Sequence, residues 1–111
     1  MKYTKEHEWV ELKDNIATVG LTKLALDQLE DIVNVQWPAN GQRLTKGELV
    51  CVLESNKSAI ELYTPLSGKI VAVNEQKFLT KWLYKIELFA IEEYEDLLDW
   101  AEYKRANALK D

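Results

Sequence analysis

Short runs of alternating apolar and polar residues follow one another along the chain, a pattern typical of half-buried β-strands. Turn-forming residues separate the runs, as at Lys13-Asp14-Asn15 and at Pro65-Leu66-Ser67-Gly68. Many short strands at this spacing favour an antiparallel sandwich or barrel. The predicted strands are Glu8–Leu12, Ile16–Val19, Val33–Trp37, Leu49–Leu53, Ala59–Tyr63, Lys69–Asn74 and Trp82–Leu88.

Helical spacing of apolar residues interrupts this pattern twice. Thr22 can cap a short first helix, whose apolar positions are Leu21, Leu24, Ala25, Leu29 and Ile32. A second helix is predicted from about Ile91 to Leu109, with acidic residues early and basic residues late, as the helix dipole favours. Its expected apolar face comprises Ile91, Tyr94, Leu97, Leu98 and Ala101. We therefore predict a mainly β fold with short helices and a C-terminal helix packed on it.

Length and composition narrow the classes of function. With 111 residues, the chain fits one domain, 1–111, and has no room for a second catalytic module. The net charge is −5 and the basic residues are scattered, which argues against a nucleic-acid partner. No apolar run reaches the length of a membrane span, and the N-terminus lacks a signal core. We expect a cytoplasmic protein, or one of the mitochondrial matrix if a transit peptide has been removed.

Few residues have metal-binding or redox chemistry. A single cysteine, Cys51, excludes an internal disulfide, and with His7 as the one histidine we expect no metal site. Cys51 lies within an apolar strand, which favours a small buried hydrophobe over a nucleophile. The tryptophans are predicted to be core or helix-packing residues rather than a stacking platform for a ligand: Trp9, Trp37, Trp82 and Trp100.

Lys57 lies in the polar segment Glu54-Ser55-Asn56-Lys57-Ser58-Ala59, between two apolar strands that are close enough to form a hairpin. At the tip of that hairpin its amine would remain solvated and within reach of another enzyme. A lysine in a polar turn is more often only a solubilising residue. The neighbouring sequence favours a modification site instead.

The stretch Val52–Glu61, followed by Tyr63–Val71, resembles the lipoylation region of the glycine cleavage H proteins. Tyr3–Val10 is similar to the N-terminal signature of that family. Later landmarks occur in the family's order at Asp31–Val33, Lys46–Glu48 and Val73–Glu75. The resemblance implies a hammerhead-like, barrel-sandwich hybrid fold of the lipoyl or biotinyl carrier type. It also implies a lipoyl group amide-linked to Lys57.

The function that this resemblance implies is that of a carrier without turnover of its own. Lipoyl supplies a dithiolane that can be reduced, can carry a group on sulfur and can be reoxidised. In the family, an aminomethyl group and reducing equivalents pass between glycine decarboxylase, aminomethyltransferase and dihydrolipoyl dehydrogenase, and a lipoate-attaching enzyme is a fourth partner. We expect a monomer, because a carrier that visits several active sites depends on transient contacts.

Further residues are predicted to assist Lys57. Its recognition context comprises Glu54, Ser55, Asn56 and Glu61. We hypothesise that Glu54 marks the lysine for the attaching enzyme, with an ordinary solvated charge as the alternative. Glu8 aligns with a family glutamate that lines the cavity sheltering the arm, and its alternative is a surface charge at a strand edge. Gln28 stands where the family commonly has a histidine near the arm.

The chain departs from the family pattern in ways that leave two functions open. Only residues 76–81 separate Glu75 from Trp82, where typical members have a longer loop. Gln28 replaces the histidine, and Glu61 replaces a shorter aspartate. The chain is therefore expected to be either a glycine cleavage carrier or an H-like scaffold on which lipoyl groups are assembled or relayed to other proteins. A lipoyl or biotinyl domain of a multienzyme subunit fits poorly, because that class lacks the N-terminal signature.

Overall fold

Two antiparallel sheets make up most of the computed structural model, which describes residues 1–29, 31–75 and 82–109. The strands are β1 (Lys2–Tyr3), β2 (Glu8–Lys13), β3 (Ile16–Leu21), β4 (Ile32–Gln36), β5 (Arg43–Leu44), β6 (Leu49–Ser55), β7 (Ala59–Tyr63), β8 (Gly68–Val73) and β9 (Tyr84–Leu88). The larger sheet has the order β1-β2-β3-β9-β8-β5, and the smaller has the order β4-β6-β7. The predicted mainly β fold with short helices is confirmed.

The hairpin of β2 and β3 forms where the turn residues predicted it. Asp14 and Asn15 have positive φ angles of 54° and 71°. Two such residues in sequence match the turn that follows the right-handed twist of paired strands. Lys13 and Ile16 are therefore direct cross-strand partners.

The first helix, α1 (Lys23–Gln28), begins as predicted but ends early. The Thr22 hydroxyl accepts a hydrogen bond from the Ala25 amide at 3.4 Å, which confirms the predicted cap. Leu29 is already extended, and Ile32 begins β4 opposite Ser55. The assignment of Ile32 to this helix was wrong, because its apolar side chain packs against the core from a strand.

The core lies between the two sheets and takes the inward-facing residues of both. Its fully buried members include Val10, Val19, Leu53, Leu66, Ile70 and Ile86. Cys51 is only 1% exposed, so the prediction that it is a core residue is confirmed. Trp9, Trp37 and Trp82 are half-buried.

Some strand boundaries differ from the sequence prediction. The two-residue strands β1 and β5 were missed, because they are too short to show alternation. The last strand starts at Tyr84 rather than Trp82. The shortened loop, residues 76–81, lies outside the described residues. Within the described part of the chain, no helix has the length and apolar character needed to span a membrane.

The predicted C-terminal helix is present as α3 (Trp100–Ala106), but the continuous helix from Ile91 to Leu109 was wrong. A separate short helix, α2 (Glu92–Glu95), precedes it. Between them, Leu98 leaves the helical path and exchanges two backbone hydrogen bonds with Tyr3, of 2.7 and 2.9 Å. The Asp99 side chain then forms a capping box with Glu102, which starts α3 anew.

Tyr103 anchors α3 to the larger sheet. Its hydroxyl lies 3.0 Å from His7 Nδ1 and 2.9 Å from the Thr22 hydroxyl, and the residue is only 1% exposed. Trp100 is exposed but lies against the rings of Tyr3 and Tyr103, with centroids 5.3 and 6.0 Å away. Trp100 is thus a helix-packing residue, which is one of the two roles, core or helix packing, predicted for the tryptophans.

Replacing Tyr103 with Phe should destabilise the protein by about 1–2 kcal/mol, because His7 and Thr22 lose a shared partner. Chemical denaturation at pH 7 measures this change in the free energy of unfolding. The matched control is Tyr94→Phe, at a half-buried tyrosine of α2, which should cost less than about 0.5 kcal/mol. Equal losses in the two variants would contradict the anchoring role.

Candidate functional site

Lys57 lies at the tip of the hairpin formed by β6 and β7. The two strands pair through Leu53 with Ile60 and through Glu54 with Ala59, and the chain reverses over Asn56–Ser58. Lys57 is exposed. Among the described residues the ion pair that occurs joins Lys23 and Asp27, so no carboxylate holds the Lys57 amine. The hairpin predicted from the sequence therefore presents a primary amine that is exposed and has no ion pair with the described residues.

Ser55 shapes the turn that carries this lysine. Its amide donates to the Ser58 carbonyl at 2.8 Å. Its hydroxyl accepts hydrogen bonds from the amides of Ser58 and Lys57, at 3.2 and 3.4 Å. A serine hydroxyl that bonds to amides two and three residues later stabilises a tight turn. Ser55 thus fixes the backbone direction at Lys57. The side chain of Asn56, between them, is exposed.

Glu54 and Glu61 lie on different strands of the hairpin and have different partners. Glu54, on β6, accepts hydrogen bonds from the side-chain amides of Asn34 and Gln36, at 2.8 and 3.0 Å. Glu61, on β7, accepts one from the Tyr63 hydroxyl at 3.2 Å. Sequence reasoning missed Asn34 and Gln36. Their spacing of two residues on a predicted strand was the available signal, since it places both on one face.

Glu8 is a buried carboxyl group rather than a surface charge. It is 2% exposed, and its Oε1 accepts a hydrogen bond from the Thr4 hydroxyl at 3.2 Å. Within the described residues, Oε2 has no hydrogen-bond partner. Burial raises the pKa of Glu8 to about 8, and burial also raises the pKa of nearby Cys51 to about 12. The strand-edge alternative for Glu8 was therefore wrong.

Glu8 and Gln28 line different cavities. Glu8 belongs to a cavity of about 370 Å³ whose wall also includes Thr4, Lys46 and Tyr63. Gln28, exposed at the end of α1, lines a second cavity of about 190 Å³ beside β7. Glu6 lines both cavities. The two residues predicted for the arm pocket thus line separate cavities that share Glu6.

Comparison with known proteins identifies the family. The sequence model of the family described as "Glycine cleavage H-protein" matches residues 1–110. The chain belongs to the glycine cleavage H-protein family. The resemblance predicted from the hairpin and the N-terminal signature is confirmed over nearly the whole chain.

Similar H proteins come from diverse organisms. The glycine cleavage system H protein of Thermotoga maritima is 46% identical, over 93% of this chain and 92% of its own length. That of Tropheryma whipplei is 41% identical, over 91% and 88%. A crystal structure of a glycine cleavage system H protein from Mycobacterium marinum superimposes with a TM-score of 0.83 at 32% identity. The superposition covers 97% of this chain and 96% of that one.

Burial of Glu8 makes the stability of this H-protein family member depend on pH. Folding raises the pKa from 4.5 to about 8, so the folded chain binds more protons than the unfolded chain between these values. The contribution of Glu8 to the free energy of unfolding is complete below pH 4.5 and is lost as the pH rises towards 8. We expect a loss of about 3 kcal/mol between about pH 5 and pH 8, an order-of-magnitude value.

Glu8→Gln should abolish this part of the pH dependence and should exceed the wild type in stability at pH 8, because the amide stays neutral. Urea unfolding of both proteins at pH 5 and pH 8 measures the difference. Glu11→Gln, at an exposed position on the same strand, is the matched control and should retain the wild-type slope. Parallel pH profiles for the wild type and Glu8→Gln would contradict the assignment.

Proposed function

We propose that this chain is the lipoyl carrier of a glycine cleavage system, with the lipoyl group amide-linked to Lys57. The observation that carries the proposal is the exposed Lys57 amine at the tip of the β6–β7 hairpin, in a chain of this family. The carrier has no turnover of its own. It moves an aminomethyl group and reducing equivalents between the enzymes of the system.

The residues around Lys57 fit an amide-linked lipoyl group. The amine is exposed, unpaired among the described residues, and held on a turn that Ser55 braces. When bound, lipoyl supplies a dithiolane that can be reduced, carry a group on sulfur and be reoxidised. The protein contributes a rigid attachment point, so the reach of the arm is measured from a fixed position.

We also propose that Glu54, Ser55, Asn56 and Glu61 form the recognition context for the lipoate-attaching enzyme. Glu54 and Ser55 precede the lysine on β6, and both are held by hydrogen bonds. Glu61 lies across from Val52 on β7, so it is farther along the hairpin from the tip. Support is strongest for Glu54 because two side-chain amides orient its carboxylate, three residues before the target lysine.

Glu8 is proposed to line the pocket of the loaded arm. Its Oε2 is buried without a partner among the described residues, and it lines the cavity of about 370 Å³. A cationic amine entering that cavity would favour the ionised carboxylate and would satisfy the unpaired oxygen. We propose that Gln28 contacts the arm only where the arm passes the smaller cavity, which Gln28 lines.

The proposed partners are glycine decarboxylase, aminomethyltransferase, dihydrolipoyl dehydrogenase and a lipoate-attaching enzyme. Similar H proteins from bacteria support a cytoplasmic location. A monomer with net charge −5 suits brief encounters, since electrostatic attraction raises association rates without tight binding.

A second candidate function is an H-like scaffold on which lipoyl groups are assembled or relayed to other proteins. The short segment between Glu75 and Trp82 and the glutamine at position 28 favour it, because the family commonly has a longer loop and a histidine at these places, near the arm. Relay to other proteins needs the exposed lysine and the hairpin but no sheltering pocket.

Co-expression with a lipoate ligase in medium containing lipoate should add one lipoyl group to the wild-type chain. Lys57→Arg should remain unmodified, because arginine keeps the charge but is not acylated. Intact-mass spectrometry measures both proteins, and Lys13→Arg, which alters an exposed lysine of β2, is the matched control. An unmodified wild type, or a lipoylated Lys57→Arg, would overturn the carrier proposal.

The two candidate functions differ in one exchange reaction. If the chain is a glycine cleavage carrier, the lipoylated protein mixed with glycine decarboxylase should support incorporation of labelled bicarbonate into glycine. A lipoylated chain that gives no exchange would favour the scaffold. The unlipoylated Lys57→Arg variant supplies the background rate for this assay.

A further inference from the structure

The side chains of Asn34 and Gln36, on β4, converge on the Glu54 carboxylate of the neighbouring strand β6. Asn34 Nδ2 donates to Glu54 Oε1 at 2.8 Å, and Gln36 Nε2 donates to the same oxygen at 3.0 Å. Asn34 is the direct cross-strand partner of Glu54, and Gln36 is its diagonal neighbour. We call these three residues the amide clamp.

A β-bulge at Val33 makes the clamp possible. Ile32 pairs with Ser55, and regular pairing would then place Val33 opposite Glu54. Instead, the register shifts by one residue and Asn34 takes that position, while Val33 is 60% exposed. Bulges of this kind re-aim side chains beside functional sites. Here the bulge brings an amide donor, rather than a valine, to the residue that stands three positions before Lys57.

The clamp orients the Glu54 carboxylate and favours its charged form. The hydrogen bonds from Gln36 and Asn34 lower the pKa of Glu54, because they stabilise its ionised form. Both donors act on Oε1. Among the described residues no donor contacts Oε2, so the second oxygen remains available to an incoming group.

Glu54 is therefore a preset acceptor three residues before the lysine that is to be modified. The Ser55 turn holds the backbone between Glu54 and Lys57, so the oriented carboxylate lies at a fixed place relative to the backbone of the lysine. A partner that binds both would need a cationic side chain for the carboxylate and an active site for the amine. A guanidinium group suits an oriented carboxylate best.

We infer that Asn34 and Gln36 are positioning residues that hold Glu54 for a cationic side chain of the enzyme that acylates Lys57. This inference rests on the proposed lipoyl carrier function. It adds two residues of β4, outside the lysine hairpin, to the surface that determines recognition.

The test is a double-mutant cycle on acylation of the purified unlipoylated chain by a lipoate ligase with lipoate and ATP. Asn34→Leu/Gln36→Met removes both donors at similar side-chain size and should lower kcat/KM about three- to tenfold, mainly through KM. In a protein that already carries Glu54→Gln, adding Asn34→Leu and Gln36→Met should not lower kcat/KM further. Gln42→Met, which removes an exposed amide from a distant turn, should acylate at the wild-type rate.

A second measurement does not depend on acylation. NMR titration of the Glu54 carboxyl group should show its pKa rising towards the ordinary value in Asn34→Leu/Gln36→Met, but not in Gln42→Met. The single variants Asn34→Leu and Gln36→Met should each give an intermediate change. If the double variant is poorly folded, these single variants decide the question.

The outcomes separate the inference from the function beneath it. Suppose that the wild type is acylated, but that Asn34→Leu/Gln36→Met lowers kcat/KM by the same factor whether residue 54 is Glu or Gln. The clamp is then overturned and the carrier proposal stands. An unchanged kcat/KM in the double variant overturns the clamp in the same way. A wild-type chain that no ligase acylates overturns the carrier proposal, and the inference with it.

Discussion

The pairing of β6 with a strand on each side is the constraint on which the site depends. β4 pairs with one edge of β6 and β7 with the other, so the backbone of the central strand is fixed in register along both. The buried residues of β6 lock that register, because a shift of one residue would turn Leu53 away from the core. The position of the tip thus follows from the packing of the strand that leads to it.

The sequence predicted those elements whose signals are local. Alternation and turn residues were sufficient for the β2–β3 hairpin and for the β6–β7 hairpin, and Thr22 was sufficient for the start of α1. The C-terminal segment was harder to predict, because the apolar spacing between Ile91 and Ala101 suits a continuous helix. What breaks it is a backbone pairing of Leu98 with Tyr3, a contact between opposite ends of the chain that no local pattern encodes.

The residues of the candidate site also differ in whether a local sequence pattern predicts them. Lys57 could be predicted from its neighbours, since the hairpin and the motif are both contiguous in sequence. Burial of Glu8 was also within reach, because it lies two residues before the fully buried Val10 and shares its face of β2. The spacing of Asn34 and Gln36 could show that they share a face, but not that they contact Glu54, since the bulge sets which residues of two distant segments meet.

Cys51 has a consequence for any disulfide-containing group carried by this protein. The chain's single thiol is buried in β6, the strand that leads to Lys57, and burial raises its pKa to about 12. Thiol–disulfide exchange requires an accessible thiolate, which such a cysteine does not supply at neutral pH. A dithiolane attached to the same polypeptide would therefore not be trapped as a mixed disulfide with its own carrier, and its redox state would be set by external partners alone.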